Sequence, residues 1–160
     1  DSSRFNIHEL LNTVIQFENN STPGIKFKRI YDTSLPEINS DRDKLHQVFL
    51  NLIRNAAEAS SKNSTVTIYT RFCGKWELTG TNLDPDLNYT LVTVEDEGAG
   101  IATENREKLF KPFFSTKNDG HGLGLSISFR LVKSLGGMLS YTPRDTVGSI
   151  FQVFLPDHTP

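Results

Sequence analysis

The chain has 160 residues, 36% of them hydrophobic, with 17 basic and 19 acidic side chains and a formal net charge of −2. That is enough chain for one domain with a real core, and with no block of like charge nothing suggests electrostatic binding to nucleic acid. The single cysteine, Cys73, excludes an internal disulfide and fits a reducing, cytoplasmic setting, while no apolar run approaches the roughly 20 residues that cross a bilayer.

In chain order, "FNIHELLNTVIQF" spaces Ile7, Leu10, Leu11, Val14 and Ile15 as one face of a helix. "GIKFKRIYD" alternates and predicts a half-exposed strand. "SDRDKLHQVFLNLIRNAAEAS" is the clearest helix, with Ser40 and Asp43 matching a capping box at its start. "STVTIYTRF" follows as a strand. From Cys73 to Asn88, Gly74, Gly80 and Pro85 mark a loop or hairpin insert. "YTLVTVEDEGAG" is a strand running into a glycine turn. A short helix is expected over Thr103 to Leu109, an irregular stretch over Lys111 to Gly122, and a helix from about Leu123 to Leu135, stopped by Gly136 and Gly137. "MLSYT" and "SIFQVFLP" close the domain as a hairpin. The interleaving predicts a mixed sheet with helices packed on one face.

Three places carry chemistry. On the long helix Leu45, Val48, Phe49, Leu52, Ile53, Ala56 and Ala59 form the core face, beside a second stripe of Gln47, Asn51, Asn55 and Glu58. Short amides compete with the helix backbone, so two of them four residues apart are either a cation or phosphate site or a pair of helix contacts. In the strand "YTLVTVED" the period of two carries Asp96 to the face of Thr90, Val92 and Val94. A carboxylate there needs a donor. An adenine amino group is one; the amides of its own Asp-x-Gly turn are another. Gly98 and Gly100 let the backbone approach a flat ring. Lastly, Gly120, Gly122 and Gly124 precede "LGLSISFRLVKSL", and a glycine-rich helix N-terminus suits a phosphate chain. The "FKPFFSTKND" before it suits a lid anchored by Phe110, Phe113 and Phe114, or a flexible loop with an unusual cap.

Taken in order, these segments resemble the ATP-binding catalytic domain of sensor histidine kinases, in the GHKL superfamily. "NLIRNAAEA" looks like the N box, "DEGAG" the G1 box, "LFKPFF" the F box and "GHGLGL" the G2 box; "VGSIFQVFLP" looks like the closing strand. "RIYDTSLPEINSDRDKLHQVFLNLIRNAAEAS" and "PFFSTK" are most similar to the nitrogen-regulation branch, the NtrB type. The resemblance implies a two-layer α/β (α+β) sandwich of the Bergerat kind, with a mixed, mainly antiparallel sheet. It spans residues 1–160 as a single domain, with residues 1–18 as linker and first helix. It implies ATP and Mg²⁺ as cofactors and Asn51 and Asn55 as the catalytic pair, with Asn55 on the metal. Asp96 would hold the adenine. Gly98, Gly100, Phe113, Lys117, Gly120, His121, Gly122, Leu123, Gly124 and Leu125 would supply the other nucleotide contacts.

The implied activity is transfer of the γ-phosphoryl group to a histidine. His8, His46, His121 and His158 all lack the H-[DE]-x-x-[NT]-P setting of an acceptor, so the acceptor is expected on a dimerisation and phosphoacceptor region absent from this chain. Further implied partners are an NtrC-like response regulator and a PII-type signalling protein, with no nucleic acid and no membrane contact from this domain. One departure stands out: many family members have Lys three residues after the metal-binding Asn, and here that residue is Glu58. It is expected to point away or to pair with Arg54. The alternatives are a GHKL-type ATPase, disfavoured because Asn51 stands where such enzymes carry a Glu base, and a non-catalytic nucleotide-binding regulatory module.

Overall fold

The computed structural model describes residues 1–112, 114 and 124–159. The elements are β1 (Ser3–Phe5), α1 (Ile7–Ser21), β2 (Lys26–Tyr31), β3 (Ile38–Ser40), α2 (Arg42–Ala59), β4 (Thr65–Phe72), β5 (Tyr89–Asp96), α3 (Gly124–Ser134), β6 (Met138–Pro143) and β7 (Ser149–Pro156). Short 3₁₀ helices lie at Lys75–Leu78 and at Thr103–Lys108, the latter where a short helix was expected.

Five strands form the main sheet in the order β2-β4-β5-β7-β6. Only the β2–β4 pair is parallel; the other neighbours run antiparallel, with β6 and β7 as the expected hairpin. The helices bury their apolar stripes on one face. Leu10, Leu11 and Val14 of α1 and Leu45, Val48, Phe49, Leu52 and Ile53 of α2 are fully buried against Val66, Ile68, Val92, Val94, Phe151 and Val153 of the sheet. Burying each of these large aliphatic side chains contributes roughly 1.5–3 kcal/mol. The architecture is therefore the expected two-layer sandwich.

The far face of the sheet is divided. Thr67, Thr93 and Gln152, which occupy its open part, tolerate water. At the other end Tyr89, Leu91 and Phe154 pack with Cys73 and Leu78 into a second, smaller apolar cluster. The segment between β4 and β5 is thus a cover for that end rather than a free loop. Lys75 Nζ fastens it by donating to the carbonyls of Pro85 and Leu87 at 2.8 and 2.7 Å.

Two sequence expectations are corrected here. Ser40 does not cap α2. It is buried at the end of β3, paired with Ser3, and the cap is Asp41, whose Oδ1 accepts from the Lys44 N–H at 3.1 Å. The β1–β3 ribbon itself was not foreseen, because three-residue strands carry no readable period. At the far end of α2, Ala57 is buried and Ala59 is exposed, the reverse of the helical projection for Ala59.

Candidate functional site

Helix α2 and the edges of β5 and β7 enclose an open cavity of about 170 Å³. Its lining comes from three places: Asn55, Glu58 and Ala59 on α2; Asp96, Ala99, Gly100 and Ile101 at the end of β5; and Ser149 and Phe151 on β7. Its volume is below the roughly 300–1,000 Å³ of pockets that enclose a drug-sized ligand, so it suits one flat heterocycle with the remainder of a ligand outside.

Asp96 is the polar centre. It is 1% exposed and sits where the alternation of β5 directs it, inward behind Val92 and Val94. Its Oδ1 accepts from the Gly98 N–H at 2.9 Å, and the Ser149 backbone N–H also donates to the carboxylate. Both donors named for this carboxylate, a ligand and its own turn, are thus compatible: the turn takes part of its accepting capacity and the cavity faces it. Burial pushes the Asp96 carboxyl above its ordinary range, and the two backbone bonds and Arg144 oppose that rise.

The glycines hold this geometry by close approach. A Cβ on Gly98 would stand 2.4 Å from the Ala59 carbonyl oxygen, so only glycine lets the turn rest on the end of α2. This contact also explains the exposed Ala59: the last turn of α2 lies over the glycine turn, beyond the core. Gly100 takes φ +78, where glycine is favoured, with its α-carbon side 3.2 Å from the Gly148 carbonyl as judged from an added Cβ.

Asn51 and Asn55 play different parts. Asn55 lines the cavity. Asn51 reaches across to α3, its Nδ2 lying 3.3 Å from Ser128 Oγ and 3.4 Å from the Gly124 carbonyl. Position 51 is therefore a donor that ties two helices together. Glu58 is exposed and borders the cavity beside Asn55. Arg54 instead donates from Nε to the buried Glu18 carboxylate at 2.8 Å.

Gly124 opens α3 and is exposed; Leu125 is half-buried and packs against the main core. Of the phenylalanines expected to anchor a lid, Phe110 stacks on Phe129 of α3 at 5.0 Å and meets Phe151 edge-on at 6.5 Å, and Phe114 packs partly buried against the core. Phe113, Lys117, Gly120, His121, Gly122 and Leu123 lie outside the described residues. Sequence reasoning missed Ser149, Phe151 and Ile101. The available signal was Ser149, a polar residue heading an apolar strand, which registers against Asp96 across the β5–β7 ladder.

Among the described residues no cluster of three or more His, Cys, Asp or Glu side chains can hold a metal, and no helix is long and apolar enough to cross a membrane.

Comparison with known proteins matches residues 40–159 to the family of histidine kinase-, DNA gyrase B- and HSP90-like ATPases. The chain is 37% identical over 156 residues to the sensory histidine kinase/phosphatase NtrB of Azospirillum brasilense, covering 94% of this chain and 38% of that protein. Over 129 residues it is 37% identical to sporulation kinase C of Bacillus subtilis, covering 81% and 27%. The chain thus spans between a quarter and two-fifths of these relatives. Full-length ShkA, solved in complex with AMPPNP, superposes with a TM-score of 0.82 at 25% identity, covering 100% of this chain and 32% of that one. Histidine kinase ThkA, solved in complex with the response regulator TrrA, gives 0.74 at 28% identity, covering 98% and 42%. Together with the buried carboxylate, the amide helix and the glycine turn, these matches show that the chain belongs to the histidine kinase-, DNA gyrase B- and HSP90-like ATPase family, as a catalytic domain of the sensor histidine kinase kind.

Proposed function

We propose that this domain binds Mg²⁺-ATP and passes the γ-phosphoryl group to a histidine on a separate helical phosphoacceptor domain, in NtrB-like nitrogen signalling. The observation that carries the reading is Asp96, a buried carboxylate that lines the cavity. Such a group recognises an exocyclic amine, as on adenine, and rejects the carbonyl that guanine offers at the same place.

The donor set fits both components. Asn55 offers a neutral amide oxygen beside the cavity, and Mg²⁺ commonly takes one or two protein ligands and fills its remaining positions with phosphate and water. When bound, Mg²⁺ neutralises charge on the phosphates, while the domain's own part is to position the nucleotide and exclude water. Asp96 fixes the base. Gly98 and Gly100 admit its ring. By the resemblance, Gly120, Gly122 and Gly124, which precede or open α3 in sequence, receive the phosphate chain and Lys117 adds positive charge; Phe113, His121, Leu123 and Leu125 are assigned the remaining nucleotide contacts. Asn51 keeps α3 in register with α2, and its amide has no capacity to take a proton from water. That favours transfer over hydrolysis. An NtrC-like response regulator and a PII-type protein are the partners this reading assigns to the whole sensor; ThkA, with its response regulator, is the solved precedent for the first.

The test is incubation with γ-labelled ATP, alone and with a helical fragment bearing an acceptor histidine. The domain alone should stay unlabelled and hydrolyse ATP slowly. The fragment should gain acid-labile phosphate, weakly, because the tether that concentrates the two partners is missing. Asn55→Ala should abolish the transfer. Label on this chain alone, or rapid phosphate release without acceptor, overturns the proposal.

A further inference from the structure

The cavity carboxylate is the middle one of three consecutive acids, Glu95, Asp96 and Glu97. The pleat of β5 sends Asp96 inward and its neighbours outward. On the outer face they meet Arg144. Its Nε donates to Glu95 Oε2 at 2.7 Å, and its Nη1 lies 4.0 Å from Glu97 Oε2. Arg144 also shapes the turn between β6 and β7. Its backbone N–H donates to the Gly148 carbonyl at 3.2 Å, and its Nη1 donates to the Val147 carbonyl at 3.1 Å. Gly148, at φ +133, is wedged between two groups: an added Cβ would lie 2.8 Å from Arg144 Cδ and 2.0 Å from the Asp96 carbonyl oxygen. The next residue, Ser149, pairs with Asp96 across the ladder and lines the cavity.

We propose that Arg144 is a positioning residue for the nucleotide base: from the outer face it holds the β6–β7 turn so that Gly148 seats on Asp96 and Ser149 faces its carboxylate, and it neutralises the acids on either side of Asp96. It touches no ligand itself. The proposal rests on the reading of the cavity as an adenine site. The charges that act on Asp96 among the described residues are Arg144 from the turn and Glu95 on its own strand; around them lie Glu97, 4.0 Å from Arg144, Glu58 on the cavity lining, Tyr69 of β4 beside Glu95 and Tyr141 of β6 against Phe151. Arg144 favours the ionised Asp96 and Glu95 opposes it. Removing either one therefore moves the acid limit of adenine binding, and the two move it in opposite directions.

Calorimetric titration of the chain with Mg²⁺-ATP across about pH 4 to 8, a range that takes in the ordinary carboxylate and imidazole values, tests this. Arg144→Gln should weaken ATP at neutral pH, because the turn that carries Ser149 is released, and should shift the acid limb of binding to higher pH. Glu95→Gln should shift that limb to lower pH. Arg144→Lys should return the limb to its wild-type place without full affinity, because an ammonium cannot reproduce the fork that spans Glu95 and Val147. Loss of fold cannot displace the limb in opposite senses. An unchanged limb in both Gln variants, or displacement of both in the same sense, overturns the proposal, and if Arg144→Gln does not fold, Glu95→Gln and Arg144→Lys still decide it. Asp96→Asn is run alongside: if it leaves ATP binding intact the adenine site itself falls, whereas weakening there with none in Arg144→Gln removes only the role of Arg144.

Discussion

The cavity and its approach are framed by two helices held by apolar burial to different degrees. Helix α2 is fixed by apolar burial: Leu45, Val48, Phe49, Leu52, Ile53, Ala56 and Ala57 all face inward, and Asp41 caps its start. Helix α3 turns Ser126 and Ser128 inward beside the fully buried Val132, and its other apolar residues Leu125, Phe129 and Leu131 pack against the core only partly buried. Its ties to α2 include the two contacts of Asn51, and Phe129 reaches Phe110 on the lid side. Close packing is hard to rearrange, because cores are bistable rather than continuously deformable, whereas hydroxyl and amide contacts can be exchanged for others at small cost. The difference gives the site one rigid wall, carrying Asn55, and one wall that can follow a ligand.

The severest way to break this contrast is at the rigid wall. Leu52→Ala should destabilise the domain by about 2–5 kcal/mol through lost transfer energy and an uncollapsed cavity. Chemical denaturation should show a lower midpoint, and nucleotide binding should fall only where the protein unfolds. A variant as stable as wild type would mean α2 is not the fixed element.

Asp96→Asn separates stability from binding. Burial raises the folded carboxyl above its unfolded value, so its stabilising share is present at acid pH and is lost as pH rises through the folded pKa. At neutral pH the empty variant should therefore be at least as stable as wild type in thermal melts, while ATP binds about 2 kcal/mol more weakly by calorimetry. A variant that is less stable and binds ATP normally would reverse both assignments.

A smaller effect is expected at the adjustable wall. Asn51→Ala removes both of its contacts to α3 and Ser128→Ala one of them, and each should cost about 1 kcal/mol. Because both act on the same link, the double variant should cost little more than either single one. Hydrogen exchange should show α3 opening faster while α2 stays protected. Equal loosening of both helices would erase the distinction.

The mildest test leaves both walls alone. His8, in the first turn of α1, stacks on Tyr31 at 4.3 Å and shares a 2.7 Å hydrogen bond with Thr70 Oγ1. Burial lowers its pKa, and Asp32 partly offsets this. Its contribution is therefore complete above about pH 6.5 and is lost as pH falls below that value. His8→Gln should flatten the stability profile there without altering ATP affinity. A profile identical to wild type would place the acid sensitivity elsewhere.

Long periods made most of this readable. The inward stripe of α2 and the inward face of Asp96 both follow from spacing over many residues, and both recur in the structure. The misses are local or non-local extremes. Asp41 displaced Ser40 as cap because β3 continues through Ser40, a pairing with Ser3 that no local pattern announces. Glu58 could be placed on the amide stripe, but not against the cavity, because the cavity exists only once β5 and β7 lie alongside α2. Ser149 and Phe151 were hidden for the same reason: register across a ladder, not sequence, brings them to Asp96.

One further feature is the corner where the β1–β3 ribbon meets the C-terminal tail. Arg4 pairs with Asn39 across the ribbon and donates from Nη1 to Thr159 Oγ1 at 3.2 Å. Asn39 donates its backbone N–H to Asp157 Oδ1 and accepts from the His158 N–H, each at 3.0 Å. Residues 4 and 159 are therefore side-chain neighbours, and whatever is joined to either end is joined at one vertex of the domain. A load applied there swings the whole unit as a door on its hinge and does not stretch it between opposite poles. The same closeness makes the domain a cassette. A short linker joining the ends, with new termini opened in the exposed cover near Thr81 to Asp86, should leave the sheet order intact.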